Sequence, residues 1–426
     1  MAVKEWQPWL EQVTAQLRCR AAEKPVRAEL EAHMQDQCDA FLAEGDSREQ
    51  AVRKTLSSMG DPVEVGARLD SVHRPRSAWG PFLLAASLFV LGALVRCWGL
   101  ADLGRQSDMA VMFLRSMVPV CVLALVYFTT DAAARLRHTL FWYIGALVLV
   151  TGTVLITSPV NGTYVYARPL CAFLAFGHAA VLYRMRNRGL AGLVISGLSL
   201  APLVLAALWI PAFAQAASLT LAGLALCLYC AWSDWFGWGR GKSLGLTAAV
   251  AVGAPVLFCL ANQDLVRRGL ERMNPLSDPE GSGFLSLQRW TVWQGRQPDL
   301  DAESAYRLLS ADDPLTFGAY VLGRPAALVM LALLVLCLVL LWRTALRTRS
   351  AAGRLLGLAG AAVLTGQLLA SAGPFSSVVP FLSDGVWSGC VQAVLAGVLL
   401  SAFRLDPVKG GRDPVPAEKR LHIRWE

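Results

Sequence analysis

The sequence predicts an all-α, polytopic membrane protein with about ten transmembrane helices, preceded by a small cytosolic helical domain. Two observations predict this class. Hydrophobic residues make up 55% of the 426 residues and charged residues only 16%, a balance more apolar than one soluble core requires. In addition, mostly apolar runs of roughly 20 residues, long enough to cross a bilayer, recur from Pro81 onward and are absent before it.

Residues 1–76 are predicted to form the cytosolic domain, with four short helices. The first residues have no apolar core and no small-residue cleavage site, so a signal peptide is not expected. Pro25 is expected in the first turn of the second helix, Ser47 and Gln50 as a capping box for the third, and Asp61-Pro62 at the start of the fourth. The pattern resembles the helical prefix domain of bacterial permeases and signalling membrane proteins. That resemblance implies an interaction or regulatory module with an unknown cytosolic partner.

The membrane domain is predicted over residues 77–404, followed by a basic cytosolic tail at 405–426. Lys and Arg concentrate in alternate short loops and in the tail, so the positive-inside rule places both termini in the cytoplasm. The ten predicted spans lie near residues 81–101, 110–130, 139–158, 166–183, 189–211, 214–232, 243–262, 317–342, 351–372 and 385–403.

The net charge of +8 would suit nucleic acid if the cations lay on one face. They lie instead in short loops between apolar runs, where they act as topology determinants. No nucleic-acid partner is therefore predicted.

One long loop, residues 263–316, is predicted on the outer side. Loops of this length are functional or disordered as a rule, and its aromatic residues disfavour disorder. The run that contains Phe284, Leu285, Leu287 and Trp290 indicates a helix lying on the membrane surface.

Ionisable residues inside spans are functional candidates. Arg168, at the outer end of the fourth span, is a candidate for substrate binding. For His178, in the same span, a hydrogen bond to a neighbouring helix is the favoured interpretation. Cys227 and Cys230 form a C-x-x-C in an apolar helix without a nearby His in the sequence, so both are interpreted as packing residues rather than metal ligands.

Two motifs carry a resemblance to the bacterial shape, elongation, division and sporulation (SEDS) family. Arg267-Arg268 followed by Asn274 to Phe284 is similar to the family's basic segment and its N-P-x-x-D-P-x-G-S-G-Y stretch, and Gln288 falls on the family's glutamine. Near the carboxyl end, Pro380-Phe381-Leu382-Ser383-Asp384-Gly385 resembles the P-F-[VIL]-S-Y-G signature.

This resemblance implies a cell-wall protein that polymerises lipid-linked disaccharide-pentapeptide (lipid II) into peptidoglycan strands during division, elongation or sporulation. The family's catalytic aspartate aligns with Asp312, and Asp313 is the alternate. Glycosyl transfer needs a base for the incoming hydroxyl and cations for the departing diphosphate. The residues expected to bind substrate are Arg267, Arg268, Arg272, Asp278, Gln288, Arg168 and Ser383.

The resemblance also implies a bacterial plasma-membrane location, contact with membrane lipid and a class B penicillin-binding transpeptidase as partner. A divalent cation, Mg²⁺ or Mn²⁺, could assist the leaving diphosphate. A nucleotide cofactor is not expected, since no P-loop is present.

Two alternatives remain open at the level of sequence. Asp384 and Val386 replace the tyrosine and second glycine of the carboxyl-terminal signature, which would suit a catalytically silent scaffold or regulator of a transpeptidase. The prefix would also suit a membrane transporter. For both aspartates, a further interpretation is that they cap the eighth helix, whose amino end favours acidic side chains.

Overall fold

The computed structural model describes residues 5–72, 74–136, 138–160, 164–210, 212–261, 263–264, 267, 283–371, 378–383 and 385–406. Every secondary-structure element longer than one residue among these described residues is a helix. In chain order the helices are α1 Gln7–Ala15, α2 Arg20–Ala43, α3 Arg48–Met59, α4 Pro62–Val72, α5 Trp79–Asp102, α6 Gln106–Thr129, α7 Ala132–Arg135, α8 Thr139–Ile156, α9 Ala167–Leu170, α10 Leu174–Arg184, α11 Gly189–Trp209, α12 Phe213–Trp232, α13 Arg240–Ala261, α14 Phe284–Trp293, α15 Ala302–Asp312, α16 Pro314–Leu322, α17 Arg324–Arg347, α18 Ala351–Ser371 and α19 Val386–Leu405.

These helices form two compact units. Among the described residues, the first comprises those up to Ser77 together with Phe403 to Asp406, and the second extends from Ala78 to Ala402. The cytosolic placement of residues 1–76 stays a prediction.

In the first unit, α1 to α4 enclose a small apolar core. Trp6, Trp9, Leu10 and Val13, one turn apart on α1, are buried against Met34 and other apolar residues of α2 and α3. The Trp9 indole N–H donates to the Gly60 carbonyl at 3.0 Å. Burial of these two tryptophans on one helix face is the main apolar contribution to this unit.

Two helices of this unit begin at the predicted capping residues, and the predicted start of a third is wrong. The Ser47 N–H donates to Gln50 Oε1 at 3.1 Å at the start of α3, and the Glu64 N–H donates to Asp61 Oδ2 at 2.9 Å at the start of α4. The prediction that Pro25 lies in the first turn of α2 is wrong, because α2 begins at Arg20 and contains Pro25. At the sixth position of the helix the proline lies beyond the first turn and removes one i→i−4 hydrogen bond.

The end of α19 belongs to the same compact unit. Leu405 packs against Ala22 and Val26 of α2. The Arg76 N–H donates to the Arg404 carbonyl at 3.1 Å, and the Arg76 guanidinium lies 3.5 Å from the buried Asp406 carboxylate. Residues 407–426 of the predicted tail lie outside the described residues.

Acidification is expected to loosen this unit through Asp70. The Arg18 N–H donates to Asp70 Oδ1 at 2.9 Å, and this hydrogen bond, together with Arg74, lowers the pKa of Asp70 below its usual value. Because the folded-state pKa is the lower one, the stabilisation is complete above the unfolded pKa of about 3.9. It is lost as the pH falls through the folded-state pKa.

Hydrogen exchange of the full chain in detergent, corrected for intrinsic rates, measures this loss. Opening of α1 and α4 should increase on acidification below about pH 4, and Asp70→Asn should remove most of the dependence. Asp36→Asn, at an exposed position of α2, is the matched control. An unchanged pH profile in Asp70→Asn would contradict the assignment.

The second unit is a bundle of membrane-length helices. Seven of the described helices are long and apolar enough to cross a membrane: α5, α6, α11, α12, α17, α18 and α19. Three further predicted spans coincide with α8, which is apolar over Phe141–Ile156, with α9–α10 and with α13. The prediction of a polytopic, all-α membrane protein is therefore confirmed.

The centre of the bundle is α18, with 78% of its apolar window buried, whereas α6 has 22% buried and faces outward along most of its length. Small residues allow the close packing of α18. A Cβ at Gly366 would lie 2.9 Å from Ser218 of α12, and one at Gly360 would lie 3.1 Å from the Leu395 carbonyl of α19. Small residues at helix contacts are the usual means of association in lipid.

Two predicted spans are wrong in detail. The fourth is interrupted, since a 3₁₀ turn over Cys171–Phe173 separates α9 from α10. The eighth begins at Arg324 rather than at 317, because Gly323 has φ +89° and ends α16. A search for apolar runs does not detect this break, because it ignores the helix-ending sequence Gly323-Arg324-Pro325.

Candidate functional site

The connection between α13 and α17 contains three described helices. The predicted surface helix is present as α14, while α15 and the separate α16 were not predicted. One signal in the sequence could have indicated α15. Asp301 stands at its N-cap position and Glu303 in its first turn, as helix amino ends prefer. A hydrogen bond from the Ser304 side chain lowers the pKa of Asp301.

Asp313 joins α14, α15 and α16. It is the N-cap of α16, where Oδ1 accepts from the Thr316 N–H at 3.1 Å and Oδ2 from the Thr316 hydroxyl at 2.6 Å. Arg289 of α14 lies 3.5 Å from the same Oδ2, and the Trp293 indole N–H donates to Thr316 Oγ1 at 2.9 Å. Asp313 therefore caps a helix, but that helix is the separate α16 and not the eighth span, whose N-cap is Gly323. The Asp313 carboxylate holds the amino end of α16 against α14.

Asp312, the predicted catalytic residue, is the last residue of α15. Its neighbour leaves the helix, with φ −134° and ψ 72° at Asp313, so the backbone turns sharply between α15 and α16 at these two residues. The side chain of Asp312 lies outside the described part of the structure, and its catalytic role stays a prediction.

The other predicted residues of this loop fall in different environments. Gln288 is buried in α14, and its Oε1 accepts from the Asp299 N–H at 2.6 Å, which ties the following loop to the helix. Arg267 is exposed. Arg268, Arg272 and Asp278 lie outside the described residues.

The carboxyl-terminal motif is held by a chain of buried amides that the sequence analysis missed. Phe381, with φ +64°, donates its N–H to Gln392 Oε1 at 2.9 Å. Gln392 Nε2 donates to Gln367 Oε1 at 3.4 Å, and Gln367 Nε2 donates to Gln215 Oε1 at 3.3 Å. Each of these glutamines lies in an apolar run of the sequence. That position could have indicated a hydrogen-bond partner, because buried polar groups require partners.

Ser383 lies half-buried at the end of this motif, and its hydroxyl donates to the Val379 carbonyl at 2.9 Å. A few residues further on, the Trp387 indole N–H donates to the Tyr166 carbonyl at 2.8 Å. Arg168, two residues beyond Tyr166, is half-buried in α9. The start of α19 therefore meets the segment that carries Arg168.

Arg96 of α5 is a second residue that the sequence analysis missed. It is 3% exposed, donates from Nη1 to the Leu382 carbonyl at 2.6 Å, and from Nη2 to Ser116 Oγ at 3.1 Å. A lone arginine in an apolar span was the signal, since such a charge is costly unless it is bonded. Arg96 clamps the carboxyl-terminal motif onto α5.

Helix α5 contacts both candidate regions. A Cβ at Gly92 would lie 2.6 Å from the Leu382 carbonyl, and a Cβ at Gly99 would lie 2.5 Å from the Phe317 ring of α16. Near the end of α5, Arg105 pairs with Glu303 of α15 at 3.2 Å. Gly92 and Gly99 are seven residues apart, about 10.5 Å along a helix. The 378–383 segment and the helices α15 and α16 therefore adjoin the second half of α5 and the residues that follow it.

His178 forms hydrogen bonds with neighbouring helices, as predicted. It is fully buried, with Nδ1 3.2 Å from Ser199 Oγ of α11 and Nε2 3.6 Å from Cys227 Sγ of α12. The Ser199 hydroxyl donates to the Ser196 carbonyl, so its oxygen can accept from an Nδ1–H. No His lies close to Cys227 and Cys230 in the sequence. In the folded protein, however, His178 contacts Cys227, so the expectation of no nearby His is wrong for the fold.

Among the described residues, no group of three or more His, Cys, Asp or Glu side chains could hold a metal ion. Around Asp313 the one described carboxylate is already bonded to Thr316 and Arg289. These described residues do not form a metal-binding site.

Comparison with known proteins is informative for the fold. No protein-family model matches the sequence, and neither does any curated protein. A chain of a solved peptidoglycan synthase complex, which coordinates polymerization and crosslinking, aligns with a TM-score of 0.59 and 18% sequence identity. The alignment covers 77% of this chain and 98% of that chain. The two chains share a fold.

Proposed function

We propose that this protein takes part in cell-wall assembly as a divergent SEDS-type glycosyltransferase, which polymerises lipid II into glycan strands. The observation that carries the proposal is the position of two motif-bearing segments along α5. The 378–383 segment packs at Gly92 and Arg96, whereas α16 packs at Gly99 and α15 pairs with Arg105, just beyond the end of α5. The fold shared with a chain of a peptidoglycan synthase complex supports this function.

In the proposed reaction Asp312 is the general base. It takes the proton of the acceptor sugar hydroxyl as that oxygen bonds to the anomeric carbon of the donor sugar, and the bond from this carbon to the lipid diphosphate breaks. Arg267, Arg268, Arg272 and Arg168 bind the diphosphate through paired guanidinium donors. Asp313 acts through position, because its bonds to Thr316 and Arg289 set the turn at which Asp312 lies.

The remaining assignments complete the proposal. Asp278, Gln288 and Ser383 belong to the substrate-binding region, directly or through the loops they hold. The protein lies in the bacterial plasma membrane with both termini in the cytoplasm and α14–α16 outside, where lipid II is polymerised. A class B penicillin-binding transpeptidase is the proposed partner.

The test is polymerisation of fluorescent lipid II by purified full-length protein in detergent. Wild type should produce strands longer than the disaccharide, alone or with the transpeptidase, and the assay is run with Mg²⁺, with Mn²⁺ and with chelator. Absence of polymer under every condition would contradict the enzymatic proposal.

A scaffold role is the second candidate. It is favoured by the engagement of the Asp313 carboxylate in capping and in the Arg289 pair, which leaves Asp312 as the sole candidate base of the two. A scaffold predicts no polymer but stable co-purification with a transpeptidase, whose own activity changes on binding.

A further inference from the structure

Two loops at the end of the bundle away from α14–α16 are joined into one rigid surface. Residues 185–188 connect α10 to α11, and residues 233–239 connect α12 to α13. The Asn187 N–H donates to the Trp235 carbonyl at 3.0 Å, and the Gly189 N–H to the Phe236 carbonyl at 2.7 Å. The Trp235 indole donates to the Leu182 carbonyl at 2.8 Å. We call these loops and the adjoining helix ends, residues 184–189 and 232–242, the loop platform.

Several residues of the loop platform have positive φ angles, a backbone conformation that few residue types adopt readily. Asn187 and Asp234 have φ +58° and +50°, and Gly237 and Gly239 have φ +68° and +95°. Phe236 is fully buried beneath the loops. Tight turns over a buried ring keep the side chains of both loops at fixed separations.

The platform concentrates positive charge. Its single acidic side chain, Asp234, already accepts from the Gly239 N–H at 3.0 Å. The Arg186 guanidinium lies 4.9 Å from the centre of the Trp235 ring, and that of Arg240 lies 3.5 Å from the centre of the Trp232 ring. Such cation–π contacts hold guanidinium groups beside aromatic rings at the interface between membrane and water. The exposed basic residues are Arg184, Arg186, Arg188, Arg240 and Lys242.

The surface next to these cations is apolar and open. Trp232 is 60% exposed, and within one to two turns of the loops Leu190, Val194 and Leu228 are 42%, 43% and 37% exposed. Apolar side chains of this kind face acyl chains in a bilayer, so the cations of the platform lie at the level of the phosphates.

We propose that the loop platform is a binding surface for anionic phospholipid, whose headgroup phosphate is held by the arginines and whose acyl chains cover the adjoining apolar surface. The contiguity of charge and exposed apolar surface favours a lipid over an acidic protein segment, which would match the charge alone. This inference does not depend on the glycosyltransferase function.

The test is titration of full-length protein in detergent with short-chain phosphatidylglycerol or phosphatidylcholine, read by native mass spectrometry. Wild type should bind phosphatidylglycerol more tightly than phosphatidylcholine. R184Q/R188Q/K242Q should weaken phosphatidylglycerol binding about tenfold or more, since each cation near an anionic surface contributes to affinity. R184K/R188K/K242R keeps the charges and should retain near wild-type binding, with folding checked by size exclusion.

The matched control removes three charges from the first unit, K24Q/R48Q/R53Q, at positions that are also exposed. It should bind phosphatidylglycerol as wild type does. The proposal would be overturned by equal loss in this control or by no preference over phosphatidylcholine. Displacement of the lipid by millimolar inorganic phosphate, or by a poly-glutamate peptide, would assign the surface to a soluble anion or an acidic protein instead.

Discussion

Asp312→Ala is expected to reduce lipid II polymerisation by about 10²–10⁴-fold, the usual contribution of a general base. The physical reason is that no other described carboxylate at the α15–α16 turn is available, because Asp313 already bonds to Thr316 and Arg289. Initial rates of polymerisation by the full chain, with purified transpeptidase present, measure the effect.

Asp313 supplies the matched control. Asp313→Asn keeps an acceptor for the Thr316 N–H and should retain most of the activity. Asp313→Ala removes the N-cap and should lower the stability of α16 by about 0.5–2 kcal/mol, with a smaller effect on rate at temperatures well below unfolding. Equal loss of activity in Asp312→Ala and Asp313→Asn would refute the division of roles between the two aspartates.

Gly92→Ala is expected to destabilise the second unit by about 2 kcal/mol. Its new Cβ would lie 2.6 Å from the Leu382 carbonyl and 3.1 Å from Leu382 Cα. These are backbone atoms of a fully buried residue that Arg96 also holds, so the segment must move. Overpacking costs about 1–3 kcal/mol and a weakened charge-assisted hydrogen bond about 1.5–3 kcal/mol, against a helix-propensity gain of up to about 1 kcal/mol.

Thermal unfolding in detergent, followed through tryptophan fluorescence, reports this loss as a lower midpoint. Gly80→Ala, in the first turn of the same helix, is the control, because a Cβ there has no atom within 4 Å. Its midpoint should stay at or above that of wild type. If both variants unfold at the wild-type temperature, the close contact between α5 and the 378–383 segment is not maintained in solution.

The candidate site was only partly predictable from the sequence. Asp313 at a helix amino end and the surface helix α14 follow from local patterns, since capping and amphipathic spacing depend on neighbours within a few positions. The amide chain from Gln215 to Phe381 and the Arg96 clamp join residues up to 286 positions apart. No local pattern encodes such pairs, although each polar residue in an apolar run indicated that some partner exists.

The sequence by itself determined the class of this protein, because hydrophobic length and charge placement decide which segments can lie in a bilayer. It also determined the starts of α3 and α4 through Ser47 with Gln50 and through Asp61-Pro62. Only the tertiary structure decided that His178 meets Cys227, and that α5 adjoins both the carboxyl-terminal motif and the helices α15 and α16. Those features depend on which helix faces pack together, and packing is a property of distant residues whose pairing no periodicity contains.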